Sequence, residues 1–74
     1  MRLLDVDYGE TVQVIRLRGG HRMGEKLRQL ALFPGTKVKV MRYAPLGGPI
    51  MIEVEGRSVA IGRGIAAHII VEHI

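Results

Sequence analysis

The sequence predicts a mainly β protein: a small, closed or nearly closed barrel of five short strands with one amphipathic α-helix. Three observations carry this. Glycine and proline punctuate the chain at Gly9, Gly19-Gly20, Pro34-Gly35, Pro45-Leu46-Gly47-Gly48-Pro49, Gly56 and Gly62-Arg63-Gly64, cutting it into pieces of strand length. Most of those pieces alternate apolar and polar residues. A single longer piece repeats its apolar residues at helical spacing. With 74 residues and no linker, repeat or low-complexity stretch, residues 1–74 form one domain.

The elements follow in order. Glu10–Leu17 is a strand whose apolar parity changes midway: Val12 and Val14 share one face, Ile15 and Leu17 the other. A bulge near Val14-Ile15 explains the change, as does burial on both faces. His21–Leu32 is the helix, with Met23, Leu27 and Leu30 on one side and Arg22, Glu25, Lys26, Arg28 and Gln29 on the other. Pro34 is expected to end it by disfavouring helical geometry at Phe33, which is expected to be buried. Thr36–Tyr43 turns Val38 and Val40 inward and Lys37 and Lys39 outward. Ile50–Glu55 is the cleanest strand, and Glu55-Gly56-Arg57 can turn it tightly into Ser58–Ile61. A short turn over Arg63–Ala67 leads to the last strand, His68–Ile74. Closing five strands into a barrel also removes exposed sheet edges.

The net charge of +4 is unevenly spread. Residues 16–42 sum to +7, because Arg16, Arg18, Arg22, Lys26, Arg28, Lys37, Lys39 and Arg42 face only Glu25. Such a region suits nucleic acid, an anionic membrane surface, an acidic protein face or simple solvation. Base-stacking aromatics are missing, since Tyr8, Phe33 and Tyr43 are scattered, so no specific nucleic acid is expected. No apolar run approaches the ~18 residues of a membrane span, and the acidic start lacks a leader's apolar region. The chain therefore reads as soluble and intracellular, with no membrane insertion.

Chemistry is excluded largely by inventory. There is no cysteine, Ser58 is the only serine, and no Gly-Lys-Ser/Thr loop cradles phosphate. The available metal donors are His21, His68, His73, Asp5, Asp7, Glu53, Glu55 and Glu72. His68 and His73 lie five apart and face opposite sides of a strand. Asp5 with Asp7, or Glu53 with Glu55, offers at most a weak pair of carboxylates. No cofactor and no catalytic residue are expected.

Protein recognition has the stronger residue-level case. Met41, Tyr43, Leu46 and Met51 are placed outward or at a loop tip, beside Pro45 and Pro49. Adaptable methionine next to a proline-braced loop makes an apolar contact surface, and Arg22 and Lys26 supply charge for encounter. Leu46 is the first choice of contact residue.

Five stretches together carry a resemblance. They are Leu4 with Tyr8-Gly9-Glu10 and Val12-Gln13-Val14; Gly19-Gly20 before Leu27 and Leu30; Leu32-Phe33-Pro34-Gly35-Thr36-Lys37-Val38-Lys39-Val40; Ala44–Pro49 feeding Ile50, Ile52, Val54 and Gly56; and Ile69-Ile70-Val71-Glu72. In this order they resemble the FeoA family of small ferrous iron transport proteins over essentially the whole chain. The resemblance implies a five-stranded SH3-like barrel and a cytoplasmic, non-catalytic accessory to the FeoB transporter, bound on its cytosolic side. The same barrel is similar to the C-terminal domain of iron-dependent repressors, which leaves a stand-alone regulatory or metal-responsive binding module as the alternative, and after it a non-specific nucleic-acid binder. Weak self-association is compatible with either. Two positions depart from the family pattern: Ala31 stands where glycine is usual, implying a different helix exit, and Gly62–Ala67 keeps only Arg63 of the usual charged residues.

Overall fold

The computed structural model describes all 74 residues. A short 3-10 helix, Leu3–Asp5, precedes β1 (Thr11–Leu17), α1 (His21–Gln29), β2 (Lys37–Tyr43), β3 (Ile50–Val54), β4 (Arg57–Ile61), α2 (Arg63–Ala66) and β5 (Ile69–His73). The five strands form one antiparallel sheet in the order β4-β3-β2-β1-β5. The five-stranded, mainly β fold expected from the sequence is therefore present. The ladder does not close, however. β4 and β5 are its outer strands and do not pair.

The core is wholly apolar: sixteen residues are buried and none is polar. Val12, Val14, Val38, Val40, Ile50, Ile52, Val54, Ile61, Ile69 and Val71 reach it from the strands, as alternation requires. Leu27, Leu32, Leu3, Val6 and Ala66 fill it from the helices and connections. The parity change in β1 is a bulge, because the β1–β5 register shifts between Val14 and Arg16 and Ile15 points outward. Burial on both faces is thereby excluded. The β3–β4 turn is the tight one expected, with Glu55 and Gly56 both at positive φ, the pattern of a type I′ turn.

Two expectations about the helix need correction. It ends at Gln29, not Leu32, and Pro34 does not end it. Leu30 caps it, Ala31 takes φ +61°, and the N–H groups of Leu32 and Ala31 donate to the carbonyls of Leu27 (2.9 Å) and Arg28 (3.0 Å). That is a Schellman motif, normally finished by glycine. The exit is left-handed despite the alanine, contrary to the different exit expected. Packing accompanies it: this reversal returns Leu32 to the core that also holds Leu27. The same turn leaves Phe33 exposed, contrary to the expectation of burial.

An alanine held left-handed carries a steric cost that glycine lacks. Ala31→Gly should raise unfolding stability by about 1 kcal/mol and the Tm by several degrees. Parallel urea and thermal melts check this, and an equal or lower stability would mean that the exit is unstrained.

Candidate functional site

The β2–β3 connection, residues 44–49, is held by hydrogen bonds of its own and by a neighbouring side chain. Across its base the Ala44 N–H donates to the Pro49 carbonyl at 3.0 Å, and inside it the Gly48 N–H donates to Pro45 at 3.2 Å. Leu46 and Gly47 both have positive φ, +58° and +75°. Gly47 supplies the conformation that side chains resist. At Gly48 the demand is spatial, since a Cβ there would stand 2.8 Å from that of Ala44.

Arg63, at the start of α2, holds this loop from beneath. Its Nε donates to the Gly48 carbonyl at 2.9 Å and its Nη2 to the Ala44 carbonyl at 3.3 Å. Its guanidinium also lies over the Tyr43 ring, 5.4 Å from the centroid. No carboxylate pairs with it. Cation–π contact and two charge-assisted hydrogen bonds take the place of an ion pair. Tyr43 in turn donates its hydroxyl to the carbonyls of Val6 and Leu4, tying the N-terminal segment to the end of β2.

This network redistributes the residues expected to bind a partner. Leu46 is fully exposed at the loop tip, with Pro45 and Pro49 exposed on either side. Leu46 therefore plugs no end of the sheet and covers no part of the core. Met41 is exposed and Met51 half-buried, close to the base of the loop. Tyr43 does not join them. A second bulge, between Val40 and Arg42, flips the parity of β2, so Tyr43 sits opposite buried Ile50 while Arg42 takes the place opposite Met51. Arg22 and Lys26 are exposed on α1, and no hydrogen bond or ion pair holds either one.

The metal-donor residues are occupied or apart. Asp5 pairs with Arg2 at 2.8 Å, and that guanidinium, first by hydrogen bonding, holds the carboxyl below its usual range. Glu55 lies in the turn, not beside Glu53 along a strand. His73 faces Glu10 at 3.4 Å, and His68 is hydrogen-bonded to the Gly64 carbonyl at 2.9 Å. No three His, Asp or Glu side chains converge, and the surface has no enclosing cavity.

Sequence reasoning missed Arg63 as the support of the loop. Its place after Gly62, nineteen residues beyond Ala44, gives no local signal of contact. The signal available was indirect: an arginine between two glycines, in an otherwise apolar turn, is left without a sequence neighbour to pair with.

Comparison with known proteins agrees with this architecture. The FeoA domain family matches residues 1–73. A putative Fe(2+) transport protein A from Methanocaldococcus jannaschii is 38% identical over 64 residues, which is 86% of this chain and 76% of that protein. The crystal structure of an iron uptake regulatory protein, FeoA, superposes with a TM-score of 0.90 at 35% identity, covering 97% of this chain and 95% of that one. The manganese regulator SloR shares the fold at a TM-score of 0.88 and 19% identity, over 99% of this chain and 34% of its own.

The half-buried Tyr43 phenol makes a checkable prediction. Burial, partly opposed by the charge of Arg63, raises its pKa above the ordinary value of about 10. The folded state then holds the proton more tightly than the unfolded chain, so this contribution is intact below pH ~10 and is lost as pH rises through the folded value. Tyr43→Phe should cost roughly 1–2 kcal/mol at neutral pH, because the Val6 and Leu4 carbonyls lose a donor. It should also flatten the decline in stability as the pH rises above about 10. Urea melts across that range measure both effects, and curves that stay parallel would remove Tyr43 from this role.

Proposed function

The chain belongs to the FeoA domain family, and we propose that it serves ferrous iron transport as a non-catalytic accessory protein that docks on the cytosolic side of a FeoB-type transporter. The transport role follows from the family and from a relative described as an Fe(2+) transport protein. The docking role is carried by one observation: a fully exposed leucine at the tip of a loop braced across its base and by Arg63.

An exposed leucine gains free energy by burial in a partner, up to roughly 2 kcal/mol for a side chain of this size. The cost of docking is the freedom lost in ordering the contact segment. Here the ordering is done in advance. Pro45 and Pro49 restrict the backbone, Gly47 and Gly48 allow the turn, and Arg63 ties the loop to α2. Met41 and Met51 extend the contact at the base of the loop. Arg22 and Lys26 act at longer range, attracting an acidic partner face before contact is made.

Leu46→Ala should weaken binding to the full-length transporter by about 1–2 kcal/mol, a 5–30-fold rise in Kd, with the Tm unchanged. Reversing Arg22 and Lys26 to Glu should slow association and reduce its salt dependence while leaving dissociation nearly unaltered. Surface-based kinetics on purified transporter, together with thermal melts, measure all of these. A lower Tm with unchanged affinity for Leu46→Ala would retire the anchor, and unaltered association at low salt for the charge reversal would retire the steering.

A further inference from the structure

The sheet has two outer strands, and the chain treats them differently. The edge of β5 is covered: the Val71 N–H donates to the Met1 carbonyl at 2.7 Å, and Arg2 pairs with Ile70 in an antiparallel bridge. The edge of β4 is bare, because its only ladder is the one to β3. Apart from its shortness and Arg57 at its first residue, which shares the inward parity of Val59 and Ile61, β4 lacks the common protections. It has no lysine, no proline, no bulge and no inward-pointing charge between Ser58 and Ile61.

We propose that the free edge of β4 is a self-association surface, on which two copies of this chain pair their β4 strands antiparallel about a two-fold axis through Val59. The backbone pattern sets that register. In a hairpin with a two-residue type I′ turn, the flanking residues Val54 and Arg57 exchange both ladder hydrogen bonds, and alternate residues repeat this at Val59 and Ile61. Ser58 and Ala60 therefore direct their N–H and C=O groups away from β3. A two-fold pairing centred on Val59 sets Ser58 opposite the second copy's Ala60 and Ala60 opposite its Ser58, so all four free donors and acceptors find partners.

The side chains agree with this register. On the outer face the facing residues are serine and alanine, small enough for close approach. On the inner face the half-buried Val59 meets its own counterpart. The two Arg57 side chains are kept apart, each opposite Ile61 of the other copy. A five-residue edge buries less than the ~800 Å² per partner of a standard stable interface, so the dimer is weak and dependent on concentration.

The absence of cysteine from the chain makes a clean test available. Val59→Cys places two thiols at a non-hydrogen-bonded pair about 4.5 Å apart at Cα, within the ~4.4–6.8 Å range of a disulfide. Ser58→Cys places them two residues out of register, beyond the ~7 Å limit. Mild oxidation of the full chain should give a disulfide-linked dimer of Val59→Cys and little or none of Ser58→Cys. Ala60→Pro removes one free-edge donor without touching the β3 ladder, and should abolish the concentration-dependent rise in mass seen for the natural chain by sedimentation equilibrium. Equal cross-linking at both positions, a reduced and monomeric Val59→Cys, or a natural chain that stays monomeric at millimolar concentration would overturn the proposal. If Ala60→Pro does not fold, the two cysteine variants still decide it.

Discussion

The guanidinium of Arg63 is the point at which otherwise separate parts of this small domain are fastened together. It stacks on Tyr43 at the end of β2, donates to both ends of the β2–β3 loop, and belongs itself to the turn joining β4 to β5. Tyr43 passes the connection on to the N-terminal segment through the Val6 and Leu4 carbonyls. A chain of this length has a thin core, and all its buried residues are apolar. Packing alone fixes the strands but not a six-residue exposed loop. A planar, permanently charged group with several donors can do so, and lysine, with a single compact head, cannot reproduce the fork and the stacking at once.

Three non-glycine residues have left-handed backbones, and their settings differ. Glu55 satisfies a hairpin turn, and Ala31 a helix exit that returns Leu32 to the core. Neither needs a partner to account for it. Leu46 is different: its backbone conformation brings it no burial at all. A large apolar side chain, held in an unfavourable conformation and fully in water, contributes nothing to this fold. That combination is understandable if its contact lies on another molecule.

Much of the fold could be read from alternation and punctuation because both act locally. Val38 and Val40 against Lys37 and Lys39, the Glu55-Gly56 turn and the β1 bulge at Ile15 each leave a trace within a few residues. What escaped the sequence was set by distant contacts. The β2 bulge at Met41 is marked only by the apolar residues passing from Val38 and Val40 to Met41 and Tyr43, a pattern that reads equally as an apolar outer face, and it turned Tyr43 from a surface residue into a structural one. The helix stopped at Gln29 because Leu32 is needed in the core, which local propensity does not record. The site divided in the same way. Leu46 at a Gly-Gly tip was visible from composition, whereas Arg63 acts across nineteen residues of chain and was not.

The central claim is that Arg63 contributes to partner binding only by fixing the loop that presents Leu46. A double-mutant cycle on Arg63→Ala and Leu46→Ala, read as affinity for the full-length transporter with stability followed alongside, tests it most directly. If Arg63 acts through Leu46, the two losses will not add: once Leu46 is gone, removing Arg63 should change the Kd by less than about twofold, with a coupling of roughly 0.5–3 kcal/mol. Fully additive losses would mean that the two residues bind independently, and would contradict the account.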